Sequence, residues 1–254
     1  MNIAIISAIL PVVLLLVFIY RKDKYHPEPL GKLLLTFFVG CLSVIPASLM
    51  ELFLMPLAPQ AEAAPVLNGI FTGYFVAGFS EELFKLLLLL WVIWRSPHFD
   101  EYFDGIVYAA YLSLGFACVE NISYVLGGTD PMGTALMRGL LAVPAHFLFA
   151  VTMGYYLSLA KFDPAGRSKH LFLAFFYPML LHGTYDALLM VSSNLSGSDS
   201  MVSTGITGVL FVAFIVFDVR MWKWGLKRIK RMQERSHEQN VDRHHPFDGF
   251  TWNV

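Results

Sequence analysis

Seven ionisable side chains stand inside long apolar runs of this chain: Glu81, Glu82, Lys85, Glu120, His146, His182 and Asp186. A charged group near the centre of a bilayer costs about 2.5 to 3.5 kcal/mol on insertion scales, so a set of this size marks function before packing. Their types fit hydrolysis of an amide. That reaction needs an activated water, a group to stabilise the oxyanion and a proton for the leaving amine. Carboxylates and imidazoles supply all three.

Spacing narrows the roles, because residues three and four apart share one face of a helix. His182 and Asp186 therefore point the same way, and Asp186 can join His182 at a site or orient its ring. Lys85 is four residues from Glu81 and three from Glu82, so it can neutralise one carboxylate and leave the other for chemistry. The two glutamates are turned about 100° from each other. The expectation is that Glu82 activates water and Glu81 supports it. Simpler readings stand beside this one. Glu81 with Lys85 can be an ion pair that lowers the insertion cost, His146 a packing residue, and Arg138 a snorkelling residue at the interface. The convergence of two histidines and several carboxylates from four helices at overlapping depth favours a shared cavity, expected in the outer half of the membrane.

The elements that must position these groups are membrane helices. The chain is 56% hydrophobic and 15% charged, with mean hydropathy +0.59, more apolar surface than one soluble core can hide. Runs at 2–20, 33–54, 66–94, 105–126, 134–160, 170–191 and 202–222 are each near the roughly 20 residues that cross the hydrocarbon. The expected fold is all-α, with seven spans in a membrane domain over 1–225 and a basic, polar tail over 226–254. All but two of the 18 Lys and Arg residues fall after spans one, three, five and seven, the exceptions being Lys85 and Arg138. By the positive-inside rule the N-terminus is then outside and the C-terminus cytoplasmic. The stretch from Trp222 to Arg231 reads as a flank lying on anionic headgroups. His244 and His245 fall in what reads as a disordered tail.

Other features are quiet. Cys41 and Cys118 both lie within spans, which leaves no disulfide framework and no paired-cysteine metal site. The loop from His98 to Asp104 holds Asp100 and Glu101 as well, and reads as a solvated turn rather than a second metal site. No internal repeat is visible, and nothing points to nucleic acid.

The stretches EELFK (81–85), HFDEYFDGIVYAAYLSLGFACVEN (98–121) and LLHGTYDALL (180–189), together with RKDKYHPEP after the first run and PAHFLFAVTMGYYL around His146, resemble the PrsW family of intramembrane proteases. That family is related to the CAAX-type membrane proteases. Its pattern is a double glutamate with a lysine, Phe-xxx-Glu and His-xxx-Asp, found here as Glu81-Glu82 with Lys85, Phe116 with Glu120, and His182 with Asp186.

The resemblance implies an endopeptidase of a bacterial plasma membrane that cuts a membrane-anchored protein, by precedent a single-pass anti-sigma factor at the first cleavage site. It makes Glu81, Glu82, Lys85, Glu120, His182 and Asp186 the expected catalytic set. Two mechanisms stay open. His146, His182 and a carboxylate, Glu120 or Asp186, can hold a divalent metal, with zinc the first expectation. Alternatively Glu82 activates water directly and the histidines stabilise the oxyanion. A serine mechanism at Ser80 leaves the carboxylates unexplained, and an aspartyl mechanism lacks a second deep aspartate. From a different class, a proton- or ion-coupled transporter would also use buried carboxylates and histidines, although the paired broken helices of such folds are not evident.

Overall fold

The computed structural model describes residues 2–196 and 201–244, and among these every element is helical. The order is α1 (Asn2–Lys22), α2 (Leu30–Leu54) with a 3-10 turn at Met55–Leu57, α3 (Pro65–Phe71), a π-helical stretch at Thr72–Gly78, and α4 (Phe79–Ile93). There follow α5 (Asp104–Gly127), α6 (Pro131–Leu140), α7 (Ala142–Phe162), α8 (Arg167–Ser196) and α9 (Met201–His244). Among the described residues five helices are long and apolar enough to cross a membrane: Ile3–Lys22, Leu30–Leu57, Asp104–Gly127, Pro131–Phe162 and Met201–Val241. The other two expected spans also form helices, α3 to α4 and α8. These two carry Glu81, Glu82, Lys85, His182 and Asp186.

The core is built around α5 and α7, which pack on each other and are buried along most of their lengths. Helices α1, α2 and α8 surround this pair, and α9 leans on α7 and α8. Outward faces are apolar: Leu52, Phe53, Trp91 and Val209 are all well exposed. An exposed apolar surface of this kind suits lipid, where helices satisfy their own backbone groups.

The expected fifth span is broken at Leu141, where α6 ends and α7 begins. Pro144 gives the reason. Its ring nitrogen has no proton to donate to the carbonyl of Leu140, and the ring crowds that carbonyl. Arg138 sits on the short piece, α6, and reaches inward to Glu120. Basic residues close the far ends of other helices. Lys32 Nζ donates to the Val92 carbonyl at 3.0 Å and Lys161 Nζ to that of Trp94 at 2.8 Å, placing positive charge at the carbonyl end of α4.

Helix α9 does not stop where the apolar run does. It continues to His244, with Ile229, Met232 and Ser236 buried. The extension is tied to the α1–α2 and α4–α5 connections: Gln233 Nε2 donates to the Lys22 carbonyl at 2.5 Å, and the Phe103 amide donates to Ser236 Oγ at 2.8 Å. His245 lies outside the described residues. Beneath this cover the His98 to Asp104 loop is not a solvated turn, because Glu101 is 1% and Asp104 0% exposed. The reading from sequence fails here because the partners that bury the loop come from distant parts of the chain. Burial likewise pushes the nearby Asp23 carboxyl up to about 6 and that of Glu28 up to about 8.

Candidate active site

Glu81 and Glu82 stand in the first turn of α4, directly after the π-helical stretch. A π segment adds a residue to the turn and shifts the register of everything beyond it, and such bulges cluster at functional sites. The stretch also packs tightly on α8. A Cβ added to Gly73 would come within 2.5 Å of the Ala187 nitrogen and 2.9 Å of the Gly183 carbonyl oxygen, so only glycine allows the two backbones to approach this closely. That approach brings His182 against the glutamates.

Lys85 is the hub of the cluster. Its Nζ donates to Glu81 Oε2 at 2.9 Å and Glu82 Oε1 at 2.8 Å, and lies 3.2 Å from His146 Nδ1. The ammonium rests 4.0 Å from the centre of the Phe116 ring, a favourable cation–π placement. His182 Nδ1 lies 3.0 Å from Glu82 Oε1, and its Nε2 lies 3.2 Å from Asp186 Oδ2. His146 Nε2 lies 2.9 Å from Glu120 Oε2, the same oxygen that accepts from Arg138 Nη2 at 2.7 Å. The two imidazoles are 5.2 Å apart and nearly perpendicular, and Phe149 stacks on His182. All seven side chains singled out in the sequence are thus joined in one network. Arg138 is not a snorkelling residue; it belongs to that network, donating also to Asn121 Oδ1 at 3.1 Å.

A cavity of about 480 Å³ opens beside the network. Its wall includes Glu81, Glu120, Arg138, His146, His182 and Asp186. Glu82 and Lys85 are not on the wall, and both are completely buried behind it. Glu51, from α2, is on the wall too, and its place there is not legible in the sequence. It is a carboxylate within an apolar run like the others, but no partner at helical spacing draws attention to it. Ser80 Oγ is buried with no hydrogen-bond partner, so neither histidine activates it.

The donors suit a divalent metal. One ligand atom from each of Glu81, Glu82, His146 and His182 lies within 4.8 Å of the others, and Glu82 Oε2 is buried with no hydrogen-bond partner. Imidazole mixed with carboxylate is the ligand chemistry of zinc and similar ions. Glu120 and Asp186 stand outside this set, each holding a ring nitrogen of one histidine, the place of the carboxylates that orient metal-bound imidazoles. The charges agree as well: the carboxylates of Glu51, Glu81, Glu82, Glu120 and Asp186 outnumber the cations Lys85 and Arg138.

A family model described as PrsW family intramembrane metalloprotease matches residues 28–219, a segment that contains the whole cluster. The chain belongs to the PrsW family of intramembrane metalloproteases. Among its relatives, Protease PrsW of Bacillus subtilis (strain 168) is 38% identical over 231 residues, covering 90% of this chain and 95% of that protein. Protease PrsW of Oceanobacillus iheyensis is 35% identical over 235 residues, covering 92% and 98%. That of Clostridioides difficile (strain 630) is 31% identical over 233 residues, covering 90% and 91%. No solved structure matches. Membership in the PrsW family makes the chain a multi-pass bacterial membrane peptidase and speaks against the transporter reading.

Proposed function

We propose that this PrsW-family chain hydrolyses a peptide bond of a single-pass membrane protein inside the cavity, with Glu81 as the base that activates water. One observation carries the choice of Glu81: it is the only member of the glutamate pair on the cavity wall. Glu82, expected from sequence to be the base, is fixed behind it by Lys85 and His182 and serves to hold both.

The chemistry follows from positions. Glu81 takes a proton from a water in the cavity as the oxygen attacks the scissile carbonyl, and returns it to the leaving amine. The imidazoles of His146 and His182, held by Glu120, Glu82 and Asp186, stand on the cavity wall and stabilise by their positive end the oxygen on which charge develops. Lys85 restrains the Glu81 carboxylate so that it meets the water in one geometry. Burial of the network beneath Phe116 and Phe149 keeps competing water away. His146 and His182 with Glu81 or Glu82 are the residues that would hold a divalent ion, zinc by their type. When bound, such an ion supplies a Lewis acid that polarises a carbonyl oxygen and makes water more acidic.

In the membrane, we read residues 65–93 and α8 as two further crossings beside the five apolar helices, seven in all. The N-terminus then lies outside and the cavity opens toward the outer half of the bilayer. The substrate class we favour is a single-pass anti-sigma factor cut at its first site, on the strength of the family resemblance.

The test is reconstitution of the full chain in lipid with such a substrate, alongside metal analysis of the purified protein. Cleavage by wild type, lost in His182→Ala, supports the reading. Ion or proton flux with no cleavage would overturn it.

A further inference from the structure

We propose that Glu28, Asp100 and Asp104 form a second site, for a hard divalent cation of the Mg2+ or Ca2+ class, at the other end of the bundle from the cavity. Asp104 begins α5, and Glu120 lies sixteen residues further along it, about 24 Å at the helical rise. The two sites are separate.

One carboxylate oxygen from each of the three residues lies within 4.8 Å of the others. Glu28 is 3% and Asp104 0% exposed. In each, one oxygen is committed to the protein. Glu28 Oε2 accepts from the Tyr108 hydroxyl, and Asp104 Oδ2 accepts from the amides of Asp100 at 2.9 Å and Glu101 at 2.6 Å. The second oxygens, Glu28 Oε1 and Asp104 Oδ1, are fully buried and accept no hydrogen bond. A buried carboxylate oxygen without a donor is costly, and a bound cation is one way native structures satisfy it.

The surroundings deepen the imbalance. Asp23 and Glu101 are buried close by, and among the described residues no Lys or Arg pairs with Asp23, Glu28, Glu101 or Asp104. His26 Nδ1 lies 3.6 Å from Asp100 Oδ1, and its side chain is largely exposed. The donors are all oxygen, which suits Mg2+, Mn2+ or Ca2+ and distinguishes this site from the imidazole-bearing cluster at the cavity.

Such an ion would join three separate pieces of chain: the α1–α2 connection through Glu28, the α4–α5 connection through Asp100, and the start of α5 through Asp104. The extension of α9 lies over the same place, with Gln239 Nε2 donating to the Asp100 carbonyl at 2.9 Å and Asn240 Nδ2 to Glu101 Oε1 at 2.5 Å. Cation binding should therefore stabilise the whole end.

The experiment uses the full chain in detergent, stripped with a chelator and then given Ca2+, Mg2+ or Mn2+ separately. Thermal unfolding and the electron paramagnetic resonance signal of bound Mn2+ are the readouts. Wild type is expected to gain several degrees with at least one of these ions and to bind Mn2+. Both Glu28→Gln, which keeps an acceptor for Tyr108, and Asp100→Asn, on the partly exposed loop, should weaken binding at least tenfold, while His182→Ala responds as wild type does. The proposal is overturned if no ion stabilises wild type, if either carboxylate variant binds with wild-type affinity, or if His182→Ala abolishes the response.

Discussion

His182 Nδ1 lies 3.0 Å from Glu82 Oε1, a contact between residues 100 positions apart in the chain. It joins α8 to α4 through two fully buried groups, and Lys85 holds the same glutamate oxygen from the other side. The network is a structural element as much as a chemical one.

Replacing Lys85 by Met is accordingly expected to destabilise the fold by about 3 to 5 kcal/mol, because it leaves Glu81 and Glu82 buried without their cation. Thermal unfolding of the purified variant measures this. A melting temperature equal to that of wild type would mean that the pair is not charged in the way described.

Arg138→Gln should leave the fold nearly intact and lower cleavage by about 10- to 100-fold, the usual loss when the partner that orients a catalytic or metal-bound group is removed. Glu120 would keep His146 but lose the guanidinium at 2.7 Å. The informative readout is the pH profile of kcat/KM, which should move in the variant. A snorkelling residue would leave that profile where it was.

Gly183→Ala tests the approach of α8 to the π-helical stretch. A Cβ at this position would fall within 2.7 Å of Tyr74 Cγ, so the helices must part or the tyrosine must move. Overpacking of this kind costs about 1 to 3 kcal/mol, and activity should fall with it because His182 is the adjacent residue. Unchanged stability and turnover would show that the contact yields easily.

Removing metal is expected to abolish cleavage, with Zn2+ restoring it, since Glu81, Glu82, His146 and His182 offer a mixed imidazole and carboxylate set. Elemental analysis before and after chelation accompanies the assay. Full cleavage by protein shown to hold no ion would leave the glutamates to act on water unaided.

What the sequence discloses about this site depends on distance along the chain. Contacts within one helix are legible: His182 with Asp186, and Lys85 with Glu81 and Glu82, follow from spacing alone. The convergence of the four helices can be inferred from the cost of so many charged groups in lipid. Pairings between helices are hidden. Nothing in the spacing joins Arg138 to Glu120 or brings Glu51 to the cavity, because those contacts come from the break at Pro144 and from the packing of α2. The π-helical register is equally silent, and it governs which glutamate meets the cavity. The acidic loop at Asp104 misleads for the same reason, as its polar sequence suits water until the α9 extension covers it.

The most direct measurement compares Glu81→Gln and Glu82→Gln in single-turnover cleavage of a single-pass substrate in lipid, with unfolding temperatures taken in parallel. Glu81→Gln is expected to stay folded and lose about 10²- to 10⁴-fold in rate, the span that a general base contributes, while Glu82→Gln loses stability together with activity. Near-normal cleavage by a folded Glu81→Gln protein would contradict the account.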